Sequence, residues 1–564
     1  MLVQVLNLLV GLGLFGPVYA ETTQNATVKI PDGVITGNVK DGVESFGGIP
    51  FAEPPVGNLR LRPPQRLEVP FGVFDGTGAA GACPQMVMSV ESQNFLFQTV
   101  GRIANLPWVQ EATGQSEDCL TITVARPEGV ESDAKLPVLF YIYGGGYQLG
   151  WSSMYDGSSL VRYGVEIGKP FIFVIANYRV NGFGFLPGKE VLDDSAANLG
   201  LLDQRLALEW VADNIVHFGG DPDKVSIWGE SAGAWSVFSQ MALYGGDLKY
   251  KDKDLFRGAI MASGGVLPSQ PIDSPKAQDV YDRVVDRAGC AGATSTLQCL
   301  REVDYETYLD AVSSAPGMLS YSALGLSYIP RPDGHTLPDS PEILAAQGRY
   351  VPVPVISGNQ EDEGTLFALF QRNLTTIDGL VEYLQQYYYA SASEEELKEL
   401  IQTYGEGPKA ITENSPFRTG LLNEIFPGFK RRAALIGDLF FTLTRRLFLK
   451  AAHVAKPDLP SWAYLSSYNF GTPILGTFHG ADILQVFFGI KDNYAAQSIR
   501  YHFINFVYHL DPNGEGDGEY TFWPDWRHDG EMMQFSHDKS WVSKDDFRPQ
   551  PFDWLINNTK AVQL

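Results

Sequence analysis

The run Val225-Ser226-Ile227-Trp228-Gly229-Glu230-Ser231-Ala232-Gly233-Ala234-Trp235-Ser236-Val237-Phe238 holds three signals in one short stretch. Val225–Trp228 is short, apolar and β-branched, as a strand buried on both faces would be. Ala234–Phe238 is apolar with small residues and suits a helix. Between them lies Gly229-Glu230-Ser231-Ala232-Gly233, a G-x-S-x-G motif. Such a match arises by chance about once in a few chains of this length, so the strand before it and the helix after it carry the reading: a sharp strand–turn–helix elbow with Ser231 at its tip. The flanking glycines let the backbone turn and keep Cβ atoms away from the serine.

Working outward, other apolar runs are bounded by turn residues. Pro137–Tyr143 ends in Gly144-Gly145-Gly146, Phe171–Ala176 ends in Asn177, and Val353–Ile356 ends in Ser357-Gly358. Between them lie helical patterns, as in Asn198–Phe218, with apolar residues at Leu202, Leu206, Trp210, Val211 and Ile215. Strands alternating with helices predict an α/β fold with a large, mostly parallel central sheet flanked by helices. In such sheets ligands sit outside the carboxyl ends of the strands, so the residues just after each run are where chemistry is expected.

The 564-residue chain shows no Gly/Ser-rich or Pro-rich linker, no charge run and no internal repeat, which predicts one large domain with long insertions rather than several units. Its net charge of −24 repels nucleic acid and anionic lipid headgroups. Residues 1–20 read as a signal peptide: Leu2–Val18 is almost wholly apolar, and Val18-Tyr19-Ala20 places small residues before Glu21. The apolar run is broken by Gly11, Gly13, Gly16 and Pro17, and no other stretch is long enough to cross a bilayer, so no integral membrane anchor is expected. A secreted, extracellular domain over 21–564 follows. Four cysteines, Cys83, Cys119, Cys290 and Cys299, fit an oxidising compartment, although four allow three pairings. Sequons at Asn25, Asn373 and Asn557 are candidate glycosylation sites.

A serine hydroxyl is a poor nucleophile at neutral pH and needs a base within hydrogen-bond reach and a third group to orient that base. The order Ser, then Asp or Glu, then His is expected with an elbow of this kind. After Val353–Ile356 the chain carries Glu361, Asp362 and Glu363 in succession, and chemistry alone does not choose among them. Of eight histidines, His479 is best placed, after the apolar segment Trp462–Tyr468 and a glycine-bearing turn, whereas His502 and His509 lie in an aromatic, helix-like stretch and read as packing. An oxyanion needs fixed N–H donors. Gly144-Gly145-Gly146 can turn amides inward, and Ala232, following the nucleophile, supplies another. No Cys-x2-Cys or His-x3-His pair offers metal ligands, and the chemistry calls for no cofactor.

These residues resemble the type-B carboxylesterase/lipase family. The likeness covers nearly the whole mature chain: Phe46–Ala52, Glu117-Asp118-Cys119-Leu120, Tyr143–Tyr147, Asn177–Phe183, and the block from Asn198–Arg205 through Gly219-Gly220-Asp221-Pro222 to the elbow. Gly258–Gly265 leans toward the fungal lipase-like branch. The resemblance implies the α/β-hydrolase fold, a triad of Ser231, Glu363 and His479, oxyanion amides on Gly145, Gly146 and Ala232, and disulfides Cys83–Cys119 and Cys290–Cys299. One departure is Ala481-Asp482, where many relatives carry a different acidic turn. The resemblance also implies acyl-ester hydrolysis. The Cys83–Cys119 segment carries Met86, Val87, Met88, Phe95, Phe97 and Trp108. In similar fungal lipases the matching loop is a flap over the site, which points to lipid esters at a lipid–water interface. The alternatives are a carboxylesterase on short soluble esters, a sterol esterase, or a non-catalytic neuroligin-like binding protein, the last disfavoured because Ser231, Glu363, His479 and the glycine triplet are all present.

Overall fold

The computed structural model describes residues 24–86, 114–405, 407, 418, 420–490, 492–516 and 518–564. The expected signal peptide at 1–20 and most of the apolar segment between Cys83 and Cys119 lie outside the described residues. The bridges Cys83–Cys119 and Cys290–Cys299 are both formed.

The apolar runs form the centre of a 13-stranded sheet. Leu136–Ile142 lies between Ile172–Ala176 and Gly220–Glu230, and the sheet continues through Gly258–Ala262, Val355–Gln360, Ser461–Ser466 and Glu531–Phe535, all parallel. Ile227 of the elbow strand stands opposite Phe140 on one side and Ala259 on the other. Ile172–Ala176 and Ser461–Ser466 are buried along their whole length, the pattern of strands covered on both faces. Gln24–Ile30, Gly33–Lys40, Val43–Pro50 and Thr121–Pro127 extend one edge antiparallel, and Ser540–Lys544 closes the other.

Two predicted boundaries move. The strand expected at Val353–Ile356 runs instead over Val355–Gln360, and so includes Ser357-Gly358-Asn359-Gln360, read from sequence as a loop. Pro354 has no N–H for a central ladder, whereas Gly358 pairs with Ala262 on one side and Tyr464 on the other. The elbow strand is longer than Val225–Trp228, reaching Gly220–Glu230. The long helical pattern is the helix Leu199–Asn214 with a tighter turn at Ile215–Phe218.

The helix after the elbow, Ala232–Ala242, is buried at every residue. Two side-chain pairs tie the motifs of the first half together. Arg179 donates through its backbone N, Nε and Nη2 to Asp203, a fully buried fork. Arg60 forks onto Glu117 at 2.6 and 2.8 Å. Such pairs position segments more than they stabilise them, because desolvating both charges offsets most of their attraction.

Candidate active site

Ser231 has φ 58° and ψ −124°, a conformation L-residues avoid. The turn survives because its neighbours force it. Its N–H donates to the Ala262 carbonyl at 2.9 Å, and its own carbonyl accepts from Ala234 and Trp235. A Cβ on Gly233 would lie 2.0 Å from the Ile142 carbonyl oxygen, and one on Gly229 would lie 2.2 Å from the Gly233 carbonyl. Only glycine fits at both, so the motif is a packing requirement as well as a sequence pattern.

The predicted triad residues meet at the carboxyl ends of three parallel strands. Ser231 Oγ is 2.7 Å from His479 Nε2, and His479 Nδ1 is 2.6 Å from Glu363 Oε2. Because Nδ1 faces a carboxylate, the neutral imidazole holds its proton there and leaves Nε2 free to accept from the serine. The three successive carboxylates separate by what they touch. Glu361 pairs with Arg418 at the surface. Asp362 turns the other way and accepts from the Thr477 N–H at 2.7 Å, while its own N–H donates to the Thr477 carbonyl. Glu363 alone reaches the histidine, and its second oxygen accepts from the Gln360 N–H at 2.8 Å. Phe441 and Phe367 flank the imidazole at 4.3 and 5.3 Å between ring centres, which restricts its tilt and dries its surroundings.

The glycine triplet follows the strand Leu136–Ile142. Gly145 and Gly146 have φ +104° and +61°. A Cβ on Gly145 would lie 2.1 Å from the Leu149 carbonyl oxygen, and one on Gly146 3.0 Å from Met318 Sδ. Tyr143 and Tyr178 lock this turn to the Asn177 loop by exchanging hydrogen bonds: each hydroxyl donates to the other's backbone carbonyl, and the Tyr178 N–H donates to the Tyr143 hydroxyl. Among the described residues no carbonyl accepts from the amides of Gly145, Gly146 or Ala232. Amides without a backbone acceptor are the kind of donor that an anionic oxygen needs.

Sequence reading missed two neighbours. Glu230, inside the elbow motif, places Oε1 3.6 Å from His479 Nε2, and neither that oxygen nor Asp482 Oδ1 has a hydrogen-bond partner among the described residues. Burial lifts Glu230 to about 8 and Asp482 to about 7, both well above the usual carboxylate range. Burial alone would push His479 down, but the charge and hydrogen bond of Glu363, with Glu230 and Asp482 behind, outweigh it and hold the imidazole above the ordinary histidine value. No sequence signal marks either acid as buried. His502 is a packing residue of the helix Tyr494–His509, its Nδ1 2.8 Å from the Pro512 carbonyl oxygen. The sequon asparagines Asn25, Asn373 and Asn557 are all exposed.

A sequence model described as the carboxylesterase family matches residues 24–551. A Gibberella zeae protein named secreted triacylglycerol lipase LIP1 is 54% identical over 548 residues, 97% of this chain and 92% of that protein. Secreted lipase 1 of Botryotinia fuckeliana is 51% identical over 539 residues, 95% of this chain and 93% of that one. Among solved structures, Aspergillus niger EstA is similar with a TM-score of 0.79 at 26% identity, over 96% of this chain and 99% of its own. A PNB esterase follows with a TM-score of 0.72 at 27% identity, over 94% and 100%. Among the described residues no helix is long and apolar enough to cross a membrane. A match this long, with relatives above half identity along nearly the whole chain, makes this protein a member of the carboxylesterase family and a secreted carboxylic-ester hydrolase.

Proposed function

We propose that the protein hydrolyses lipid esters by two-step acyl transfer with Ser231 as nucleophile, His479 as general base and acid, and Glu363 as the group that orients His479. The observation that carries this reading is the unbroken chain from Ser231 Oγ through the imidazole to Glu363, with both links under 2.8 Å. His479 Nε2 takes the hydroxyl proton as Oγ attacks the ester carbonyl. The carbonyl oxygen becomes an anion held by the amides of Gly145, Gly146 and Ala232. His479 then protonates the leaving alcohol, and an ester bond to Ser231 remains. Water, deprotonated by the same nitrogen, attacks that ester, and the acid departs as Ser231 regains its proton.

The lipid preference rests on the names of the fungal relatives and on the apolar residues between Cys83 and Cys119, which we read as a flap. The likeness to EstA and a PNB esterase favours a second reading, a carboxylesterase on short soluble esters. A p-nitrophenyl ester series from acetate to palmitate, with Ser231→Ala as the blank, tests both. Rates rising to the long chains support a lipase, and rates peaking at acetate or butyrate support the esterase. Full hydrolysis by Ser231→Ala would reject the mechanism. We also infer that residues 1–20 are removed on secretion, that 21–564 act as one catalytic domain, and that Asn25, Asn373 and Asn557 carry glycans. N-terminal sequencing should begin at Glu21, and endoglycosidase treatment should lower the apparent mass.

A further inference from the structure

A line of polar side chains runs on behind Glu363 into the protein. Asn359 Nδ2 lies 3.3 Å from Glu363 Oε1, and its Oδ1 accepts from Arg445 Nε at 2.6 Å. Arg445 in turn forks onto Asp545 with bonds of 2.8 and 2.6 Å. Asp545 also accepts from Arg446 Nε at 3.0 Å and from Trp526 Nε1 at 3.0 Å. Asn359, Arg445 and Asp545 are all buried, and they come from a central strand, the helix Leu443–Ala455 and the segment before the C-terminal helix.

The direction of this chain is forced by chemistry. A guanidinium only donates and a carboxylate only accepts, so an amide between them must turn its oxygen to Arg445 and its nitrogen to Glu363. The arrangement lets a buried cation act on Glu363 without touching it. A direct Arg–Glu fork would hold the carboxylate's charge for itself and weaken its pull on the imidazolium. A neutral amide orients Oε1 and leaves Oε2 for His479.

We propose that Asn359, itself oriented by Arg445 on its Asp545 anchor, is a positioning residue that sets the geometry and charge of Glu363, and through it the basicity of His479. This rests on the assignment of Glu363 and His479 made above. Other charges also face the pair. Glu230 and Asp482 border the imidazole, and Glu361 and Asp362 share the acid's own loop, Glu361 paired with Arg418. Asp438 and Arg548, ion-paired at 2.7 Å, line a narrow void that also borders Glu363. None of these donates to Glu363. Its donors among the described residues are the Gln360 N–H, Asn359 and the histidine.

The test uses the full secreted protein carrying Asn359→Leu, which has similar volume and no polar atom, or Asn359→Asp, which keeps the Arg445 contact but replaces the donor by an acceptor. Each is assayed on p-nitrophenyl butyrate across pH, with Tm measured alongside. Without the donor the Glu363 carboxylate loses a contact that fixes its plane, and with it the orientation of the imidazole, while its less compensated charge holds the imidazolium proton more tightly. Both variants should therefore lose about tenfold to a hundredfold in kcat, the range for one hydrogen bond to a charged group, with KM within about twofold. Their acid limbs should move to higher pH, and the far-downfield proton resonance of His479 Nδ1–H should shift. Asn359→Ser, smaller and still polar, guards against misfolding of the other two. A lower Tm with acid limb and resonance unmoved overturns the proposal, as does failure of all three to fold, which would make the residue structural. Ser231→Ala runs beside them. If it keeps its rate, the catalytic reading fails. If it is dead while the Asn359 variants match wild type, only the positioning role fails.

Discussion

Ser231 is held in a strained backbone conformation at φ 58° and ψ −124°. Such outliers store about 1–3 kcal/mol, and glycine would relieve the strain at an entropic loss of about 0.5–1 kcal/mol. Ser231→Gly should thus be more stable than Ser231→Ala by about 1 kcal/mol in urea titrations, with hydrolysis lost in both. Equal stability would remove the strain argument. The glycine pair of the proposed oxyanion turn gives a sharper contrast. Gly145→Ala drives a Cβ into the Leu149 carbonyl at φ +104° and should displace the donor, a loss of about 10²–10³ in kcat. Gly146→Ala meets the movable end of Met318 at φ +61° and should lose much less. As the proposed base, His479 must be neutral to accept the serine proton. With its pKa raised, the acid limb of kcat/KM should have its midpoint above about 6.5, the ordinary histidine value.

Between elements, the acid loop after Val355–Gln360 and the base loop after Ser461–Ser466 are joined by a two-way link. The Asp362 N–H donates to the Thr477 carbonyl, and the Thr477 N–H donates to the Asp362 side chain. This short bridge continues the parallel pairing of the two strands past their ends and sets the spacing of Glu363 and His479. Asp362→Ala leaves the buried Thr477 N–H without its acceptor, so stability should fall by about 1–3 kcal/mol. Activity should fall with it, because the loop that carries His479 loses its tie. A variant that loses stability yet keeps full kcat would mean the loops hold their register without Asp362.

Across the molecule, stability should be limited on both sides of neutrality by buried carboxylates of opposite character. Asp545 is buried, which alone would raise it, but Arg445 and Arg446 pull it down to about 2. A depressed folded pKa gives stability that is present above the unfolded value of about 3.9 and lost as pH falls toward 2. Unfolding in that window is the expected acid response. Glu230 is the reverse. Raised to about 8, it binds its proton more tightly folded than unfolded, so stability declines as pH climbs from about 4.5 through 8. Glu230→Gln, which cannot ionise, should raise Tm over wild type near pH 9, and the gain should shrink to nothing near pH 4. A wild-type-like Tm profile in that variant would mean Glu230 is not the group that titrates. The 66 acidic against 42 basic residues add general repulsion at high pH, which this comparison cancels because both proteins carry it.

The elbow, the glycine triplet, the chain order of the proposed triad residues and the parallel core were all readable from the chain. Turn chemistry and apolar periodicity act over a few residues, and the motifs are written at that range. The first glycine of the elbow is the exception: read as a turn residue, it pairs on both sides within the strand Gly220–Glu230. Other features depended on partners far along the chain. Glu361, Asp362 and Glu363 are alike in composition, and they part only because Arg418, Thr477 and His479 arrive from elsewhere. Ser357-Gly358-Asn359-Gln360 looks like a loop until strands on both sides supply its ladder. Glu230 and Asp482 read as ordinary acids, and only burial gives them their raised pKa values. Asn359 is joined to Arg445, 86 residues on, and Arg445 to Asp545, a further 100. Burial, pairing and proton affinity are properties of what surrounds a side chain, and those surroundings exist only once the chain has closed on itself.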